Sequence, residues 1–397
     1  MQEQRLDTDK IEQLHRRRKH RRLRMFVLLI ITGALVLAYF TGLYGAGLSV
    51  LGDVVDSASA AINRGTGWPQ SFTLTGFSKA ESLADGFVAL GENDLTMYSK
   101  SGKELRRKQH GYARPAISAG NTRVCIYNRG GTELCVDSRS RTLFKKIYEQ
   151  PIQMAYMNEG GSFAVITRSA RYEAELTVYN SLFEPIYFWY SAQDFPSAVT
   201  MSRQSGQLAV SCLSSLNGAM GTKLYMLNTG EDEPIAEIDV PERLLLQMAY
   251  LPNGNLVAIY DRFAAVYSSK DGKELAKYDY GARTVQTAEI QGKYTALVFT
   301  SALDDTTSSL AILDEGLNEI GVSTLGYVVD SVCVGRTNVF VTGGNVVYTY
   351  GLDGKIWGSA ATETPVQAVI DVKDLLAITK GSVQKIDIPP MPKKEKE

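Results

Sequence analysis

Short runs of β-branched, aliphatic and aromatic residues, each about five residues long, recur through residues 72–388. Gly, Asn and Asp residues separate the runs, and runs of this length bounded by turn residues are typical of β-strands. The most apolar ones are FVAL (87–90), RVCIY (123–127), FAVIT (163–167), LAVSC (208–212), LVAIY (256–260), TALVF (295–299) and VFVTG (339–343). The pattern therefore predicts an all-β domain in which these runs form inner strands buried between layers.

Each apolar run is followed by a second recurring unit, in which a strand, a polar turn and a further strand succeed one another. The copies are LCVDSRSRTLF (134–144), which is degenerate, LTMYSKSGKEL (95–105), LTVYNSLFEPI (176–186), LYMLNTGEDEPI (224–235), AAVYSSKDGKEL (264–275), LAILDEGLNEI (310–320) and VVYTYGLDGKIW (346–357). From Tyr98 to Tyr350 six steps cover 252 residues, a mean period of about 42. A period of this length with four short strands per unit predicts the blades of a β-propeller.

The ends of the repeat region predict how the propeller closes. An eighth pair of runs, LLAIT (375–379) and SVQKIDI (382–388), stops before its last strand, whereas SFTLTG (71–76) precedes the first complete unit. If this N-terminal strand supplies the missing one, the ring closes without an open blade junction. Eight blades are therefore expected, with seven as the alternative. A pair of β-sandwiches is the competing fold, but sandwiches do not produce eight similar turn motifs.

A separate hydrophobic segment precedes the repeats. Met25 to Tyr44 contains no charged residue in 20 positions, enough for a helix to span the hydrocarbon core of a bilayer. Residues 1–24 contain nine Lys and Arg but four acidic residues. By the positive-inside rule this segment is a basic cytoplasmic tail. The prediction is a single-pass membrane protein with a transmembrane helix (25–44), a juxtamembrane linker (45–71) and an extracytoplasmic propeller (72–388).

Two alternatives to this anchor remain open. Ala58-Ser59-Ala60 resembles a signal-peptidase site, so the segment could be a cleaved signal peptide, although the apolar run is longer than usual and the site lies far beyond it. The basic run RRRKHRR (16–22) could bind nucleic acid or anionic lipid, although a topology signal is the simpler interpretation. The tail PPMPKKEKE (389–397) is expected to be disordered because it is rich in Pro and charge.

Several phrases of the chain resemble a known family. They are GTGWP (65–69), KELRRKQHGYARP (103–115), IYNRGGTELCVDSRSR (126–141) and SARYEAELTVYN (169–180). The chain resembles an uncharacterised family of single-pass membrane proteins of Firmicutes-type bacteria, which carry a β-propeller-like outer domain. The resemblance implies fold and topology, but the family has no established activity that would assign functional residues.

A more distant similarity connects the repeats to quinoprotein, WD40-like and outer-membrane-assembly propellers. In quinoprotein and outer-membrane-assembly propellers the repeats end in D-x-x-T-G-x-x-x-W. The segment LDGKIW (352–357) approaches this motif most closely. Of the three Trp residues, only Trp189 and Trp357 lie near repeat ends. A quinone cofactor is therefore not expected.

The remaining chemistry is sparse. The net charge of −1 and 21% charged residues exclude a globally basic nucleic-acid binder. His110 is the single His beyond the predicted anchor, so a Ser-His-Asp or Cys-His nucleophile would need it; a structural His is the simpler interpretation. The acidic loops Glu231-Asp232-Glu233 and Asp304-Asp305 lack a recognisable Ca²⁺ spacing. No catalytic, cofactor-binding or metal-ligating residue is predicted.

The Cys residues raise one structural question. Cys125 and Cys135 flank one hairpin and would face each other across a three-residue loop, which allows a disulfide. A two-residue loop would instead place them on opposite faces of the sheet. Two ordinary buried thiols are the alternative to the disulfide. Cys212 and Cys333 are expected in the core.

Together these features favour a binding or scaffolding module at the bacterial cell envelope. Its partners would be the bilayer, through Met25–Tyr44, and a protein or wall polymer on a propeller face. Two alternatives stay open: an enzyme, either a quinoprotein-like oxidoreductase or a carboxylate-based hydrolase, and an envelope sensor that signals through a partner.

Overall fold

The computed structural model describes residues 65–71, 76–203, 206–300, 308–372 and 374–390. These residues form eight antiparallel sheets of four strands each, and they belong to one compact unit that spans residues 56–397. The strands of the first four sheets are β2 Lys79–Leu83, β3 Gly86–Leu90, β4 Asp94–Ser99, β5 Glu104–Gln109, β6 Pro115–Ala119, β7 Arg123–Asn128, β8 Glu133–Ser138, β9 Thr142–Ile147, β10 Ile152–Met157, β11 Phe163–Arg168, β12 Ala174–Tyr179, β13 Pro185–Ser191, β14 Phe195–Met201, β15 Gln207–Leu216, β16 Ala219–Asn228 and β17 Ala236–Val240.

The other four sheets continue the same order. Their strands are β18 Leu245–Tyr250, β19 Leu256–Tyr260, β20 Phe263–Tyr267, β21 Glu274–Asp279, β22 Thr284–Gln291, β23 Tyr294–Thr300, β24 Ser308–Leu313, β25 Glu319–Leu325, β26 Ser331–Val334, β27 Asn338–Gly343, β28 Val346–Gly351, β29 Ile356–Ala361, β30 Val366–Asp371, β31 Leu375–Thr379, β32 Ser382–Ile386 and β1 Gln70–Ser71. Each sheet is one blade, and blades 1 to 8 are numbered here from β2. The predicted eight-bladed β-propeller is confirmed.

The last blade is closed by the N-terminal strand. β1 pairs antiparallel with β32, and Gln70 and Ser71 lie opposite Val383 and Ser382. The first strands of neighbouring blades contact one another at every junction, including β2 with β30. The ring is therefore complete, as the truncated eighth repeat predicts, although β1 is formed by Gln70–Ser71 and residues 72–75 are not described.

The apolar runs form the second strand of each blade, not the innermost one. β3, β19 and β31 are buried at every position, because strands on both edges and neighbouring blades on both faces cover them. The first strands, such as β2 with its Lys79 and Glu81, line the centre and are more polar. The expected burial of the apolar runs between blades is confirmed, and the strand that carries them is the second of each blade.

The core consists of layers between blades. Eight apolar clusters each combine side chains from two adjacent blades. In the layer between blades 3 and 4, for example, Leu176 and Val178 pack against Val210 and Tyr225. Burial of this apolar area in every junction stabilises the ring.

The turn glycines have the conformation that the repeats require. Gly102, Gly272 and Gly354 have φ of 80°, 70° and 76° between the third and fourth strands, a region that L-residues with a Cβ rarely adopt. A Cβ at Gly272 would also collide with Ala236 of the preceding blade. Gly272 is therefore needed both for the turn and for blade packing.

The proposed disulfide is wrong. In the hairpin β7–β8, Ile126 lies opposite Cys135 and Cys125 lies opposite Val136. Consecutive strand residues point to opposite faces, so Cys135 enters the layer with blade 1 and Cys125 the layer with blade 3. Both are free thiols, as are Cys212 and Cys333.

The predicted segments 1–24 and 25–44 and most of 45–71 lie outside the described residues, as does most of the tail 389–397. Within the described ranges, no helix is both long and apolar enough to span a bilayer.

Candidate functional site

His110 has a structural environment. Its Nδ1 accepts the backbone N–H of Tyr112 at 3.1 Å, while its Nε2 lies 3.2 Å from the carbonyl oxygen of Gly91. An imidazole that accepts at one nitrogen and donates at the other is neutral, and burial lowers the pKa of His110 accordingly. Both ring nitrogens are engaged in holding the connection between blades 1 and 2.

The acidic and Trp candidates are dispersed. Glu231-Asp232-Glu233 lies in the loop between β16 and β17, and the described residues contain no cluster of three potential metal ligands. Asp304-Asp305 lies outside the described residues. Trp189 packs on Tyr225 of blade 4 with ring centroids 4.9 Å apart. Trp357 fills the space beside Gly351, where a Cβ would lie 2.5 Å from its Nε1.

Side chains of the first strands join the blades around the centre. In each case a side chain on one first strand accepts a hydrogen bond from the backbone of the next. The four pairs are Glu81 with Ala119 (2.5 Å), Ser118 with Met157 (2.9 Å), Glu289 with Val334 (3.1 Å) and Cys333 with Asp371. These contacts satisfy backbone groups that have no sheet partner on the channel side, so the polar groups at the centre are used for assembly.

Glu289 has a strongly perturbed carboxyl group. Burial raises the pKa of its carboxyl group to about 7, and the N–H of Val334 acts in the opposite direction. Burial likewise raises the pKa of the neighbouring Cys333 thiol, which keeps it in the unreactive thiol form. The pair has no described basic partner that would activate it as a nucleophile.

The family-specific phrases meet at the junction of blades 1 and 2. Asp137 in β8 is fully buried. Its Oδ1 lies 3.0 Å from Arg106 Nη2 and its Oδ2 lies 2.8 Å from Lys108 Nζ, both of them on β5. Thr142 Oγ1 donates to the same carboxylate at 2.5 Å. The segments KELRRKQ and CVDSRSR thus form an ionic clamp between two blades.

A long hairpin distinguishes blade 4. β15 and β16 have ten residues each, whereas β3 and β4 of blade 1 have five and six. The turn is formed by Asn217 and Gly218, with φ of 54° and 84°, as in the two-residue turns that join twisted strands. The extra residues extend this hairpin by about four residues in each strand relative to blade 1. We call residues 213–222 the arm.

The base of the arm is fixed to blade 5. Thr222 Oγ1 donates to the carbonyl of Arg243 at 2.8 Å and accepts the N–H of Leu245 at 3.1 Å. A Cβ on Gly221 would lie 2.8 Å from the carbonyl oxygen of Val240, so the backbones are in close contact there. Because it is held at its base, the arm is a structured projection.

Large apolar side chains are exposed on the propeller face from which the arm projects. Because strands alternate in direction, the loops from second to third strands and those from one blade to the next share this face. On blades 3 to 5 and their connections six residues, called the docking face, are substantially exposed: Tyr172 (45%), Tyr190 (46%), Phe195 (44%), Met220 (63%), Leu244 (45%) and Leu246 (52%). Ile147 and Val328 are exposed elsewhere on the same side of the ring.

The outer strand of blade 3 extends the exposed apolar surface to the outer edge of the propeller. The exposed residues at the centre of the outer strands of blades 1, 2, 4 and 5 are charged: Arg107, Lys145, Glu237 and Lys277. The outer strand of blade 6 exposes Val322 at this place. Blade 3 instead exposes Ile186 and Phe188 beside Tyr190, and the ring of Tyr190 lies 4.9 Å from that of Tyr172. Charged side chains protect sheet edges from pairing with other chains, and this edge lacks them.

The residues of the docking face are not among those predicted from the sequence. The Asn217-Gly218 turn was a usable signal, because this dipeptide between alternating apolar residues predicts a hairpin. The run IYFWY (186–190), in which five aromatic or aliphatic residues follow one another, was another.

The fold is a β-propeller that exposes apolar side chains on the docking face of blades 3 to 5. Residues 68–388 match the sequence profile of a family of unknown function, DUF5711, and the chain belongs to that family. The expectation of an uncharacterised family with a propeller-like domain is thereby confirmed, while its membrane anchor stays a prediction. A comparison with curated protein sequences finds no match.

Solved structures similar to the chain are propellers of diverse origin. The computationally designed protein Ika8 has a TM-score of 0.61 at 11% identity, with 79% of this chain and 96% of Ika8 covered. BamB from Moraxella catarrhalis has a TM-score of 0.53 at 13% identity, covering 80% and 95%. The quinohemoprotein alcohol dehydrogenase ADHIIG from Pseudomonas putida HK5 has a TM-score of 0.57 at 8% identity, covering 83% and 78%. At these identities the likeness shows the fold alone.

Proposed function

We propose that the chain is a protein-binding module whose partner docks on the face of blades 3 to 5. The observation that supports this most directly is the exposed set Tyr172, Tyr190, Phe195, Met220, Leu244 and Leu246 around the arm. Aromatic residues and Met are enriched in protein interfaces, and Tyr in particular is frequent among the residues that contribute most to binding. The proposed activity is binding rather than catalysis.

The shape of the arm indicates what the partner must offer. Met220, next to the arm's turn, is 63% exposed, and a flexible thioether side chain adapts to irregular apolar pockets. A folded protein with an apolar depression can receive it, whereas the surrounding side chains contact the rim of that depression. A projection on a broad surface suits a macromolecule better than a small ligand, because small ligands are bound in concave sites.

The same proposal places the module at the cell envelope. The uncharged segment Met25–Tyr44 and the excess of basic residues before it support a membrane anchor with the propeller outside. Protease added to intact spheroplasts should then digest the propeller while a cytoplasmic control protein survives. Protection of the propeller, or its recovery in the soluble fraction, would contradict this topology.

Affinity capture with two matched variants tests the docking face. The tagged full chain is crosslinked in its own cells as wild type, as Tyr172→Ser/Phe195→Ser/Met220→Ser/Leu246→Ser, and as a control. The control, Leu275→Ser/Ile320→Ser/Val322→Ser/Ile356→Ser, changes equally apolar, exposed residues on outer strands of blades 5 to 7. The wild type and the control should recover the same partner and the first variant should lose it. Retention by the first variant would overturn the proposal.

A further inference from the structure

The outer strand of blade 3, β13 (Pro185–Ser191), has an open edge. It pairs with β12 on one side, and no other strand of the described residues pairs with it. The carbonyl oxygen of Ser191 accepts the N–H of Glu173 at 2.9 Å, so it points toward β12. Successive residues of an antiparallel strand direct their backbone groups alternately to either side. The N–H and C=O groups of Phe188 and Tyr190 therefore point to the open edge.

One face of β13 is apolar and exposed. Ile186, Phe188 and Tyr190 retain 46%, 51% and 46% exposure, whereas Tyr187 and Trp189 on the other face pack against blade 4. None of the seven residues of β13 is charged. Natural proteins use charged side chains to keep sheet edges from pairing with other chains, and β13 has no such protection.

The sequence of β13 is complementary to itself. When two copies pair antiparallel about a two-fold axis at Phe188, each residue meets the residue that lies equally far on the other side of Phe188. Phe188 then faces its own copy, Ile186 faces Tyr190, and Tyr187 faces Trp189. Aromatic pairs and pairs of an aromatic with a β-branched residue stabilise antiparallel strands. All pairs among these five central residues are apolar.

Four other outer strands do not favour pairing with a copy of themselves. The same two-fold operation would place like charges opposite one another in β5, β17 and β21, which is destabilising. The like-charged pairs would be Arg106 with Arg107, Glu237 with Asp239, and Glu274 with Asp279. In β9, Lys145 would meet the apolar ring of Phe144.

The remaining outer strands are short, covered or interrupted. β1 has two residues. Pro389 lies against β29, where a Cβ at Gly358 would be 2.7 Å from its Cγ. β25 has the same burial pattern as β13, but Gly321 occupies the place of Tyr187, and a glycine has no side chain to contribute to a cross-strand pair. Among the described outer strands, β13 is thus the one that suits association of two copies.

We propose that two copies of the chain associate through β13, paired antiparallel about a two-fold axis at Phe188. Phe188 would exchange two backbone hydrogen bonds with Phe188 of the second copy. The association would cover about half of one aliphatic and two aromatic side chains in each copy, on the order of 300 Å². This is less than the roughly 800 Å² per partner of a stable interface, so the dimer should dissociate on dilution. The proposal does not depend on the docking face.

The test is sedimentation of the purified full chain in detergent at concentrations between about 5 and 200 µM. The wild type should change from monomer to dimer across this range. Phe188→Lys and Phe188→Glu should each stay monomeric, because two like charges would meet at the axis. An equal mixture of the two variants should form dimers, because opposite charges then face each other.

Val322→Lys is the matched control. Val322 is the fourth residue of β25, as Phe188 is of β13, and it is 48% exposed. This variant should dimerise like the wild type. A wild type that is monomeric at every concentration would leave the edge to a strand of another protein and overturn the proposal. Dimers of Phe188→Lys alone, or a mixture of the Lys and Glu variants that stays monomeric, would also overturn it.

The two proposals fail separately. The docking-face variant Tyr172→Ser/Phe195→Ser/Met220→Ser/Leu246→Ser leaves every residue of β13 unchanged, so it should dimerise like the wild type. Phe188→Lys leaves the six residues of the docking face unchanged, so it should still capture the partner. Loss of dimers therefore reports on β13, and loss of capture reports on the docking face.

Discussion

Arg106 on the outer strand of blade 1 and Asp137 on the third strand of blade 2 form an ion pair across the blade junction, with Nη2 and Oδ1 3.0 Å apart. The Asp137 side chain is fully buried, whereas that of Arg106 retains 18% exposure. Lys108 contacts the other carboxylate oxygen at 2.8 Å. Two cations are thus directed at one buried anion, and each depends on it.

Removing the anion should destabilise the propeller. We expect Asp137→Ala to lower the free energy of unfolding by about 3 kcal/mol, because both cations lose their partner in a partly buried junction. Denaturant titration of the full chain measures this change. Lys145→Ala, at an exposed position on β9, is the control and should stay within about 0.5 kcal/mol of the wild type. Equal effects of the two substitutions would show that the clamp contributes nothing.

Glu289 should make stability depend on pH. Its pKa is raised by burial from the ordinary 4.5 to about 7, so the folded state binds a proton more tightly than the unfolded state. The contribution of the Glu289 carboxyl group to the free energy of unfolding is fully present below pH 4.5, and it is lost as the pH rises through 7. Relative to Glu289→Gln, which keeps an acceptor for Val334, the wild type should lose on the order of 3 kcal/mol across this window.

Thermal unfolding of both chains at several pH values checks this. Contributions from other groups, such as His110 with its lowered pKa, are common to both chains and cancel in the difference. A constant difference between wild type and Glu289→Gln from pH 4.5 to 8 would contradict the assignment.

The four Cys residues should be reduced and protected. Cys125, Cys135 and Cys212 are buried, and burial raises the pKa of the Cys333 thiol, so little thiolate is available for reaction. A chromogenic thiol reagent should detect four thiols after denaturation without reductant and none rapidly in the native chain. Two thiols after denaturation would restore the Cys125–Cys135 disulfide.

The arm can be shortened without disturbing the blade. Deleting Ser215, Leu216, Ala219 and Met220 leaves Asn217-Gly218 as a two-residue turn between Ser214 and Gly221, which already lie opposite each other. Two residues are removed from each strand, so the alternation of faces is preserved. We expect less than about 1 kcal/mol of destabilisation and loss of partner capture. Unchanged capture would show that the arm is dispensable.

The repeat pattern predicts blade number well because one physical requirement recurs in every blade. The second strand is covered on all sides, so FVAL (87–90) and LVAIY (256–260) must be apolar throughout. The truncated last repeat likewise predicts closure, because an unpaired β32 would leave an exposed edge. The layout of the ring is therefore visible in the order of apolar runs.

The docking face is harder to predict because exposure depends on the tertiary arrangement. Tyr190 and Trp189 are adjacent aromatic residues, yet Tyr190 is exposed and Trp189 packs against blade 4. The alternation of side chains along a strand predicts that the two rings point to opposite faces of the sheet. It does not predict which of these faces the next blade covers. Similarly, one residue more or less in the β7–β8 loop decides whether Cys125 and Cys135 lie on the same face of the sheet or on opposite faces.

The most direct test of the proposed function is site-specific photo-crosslinking in cells that naturally produce the protein. A photoreactive amino acid replaces Met220, near the tip of the arm, or Leu275, an equally exposed residue (57%) on the outer strand of blade 5. The docking-face account predicts a crosslinked protein of defined mass from position 220 and none from position 275. Absence of an adduct at 220, or the same adduct at both positions, would contradict it.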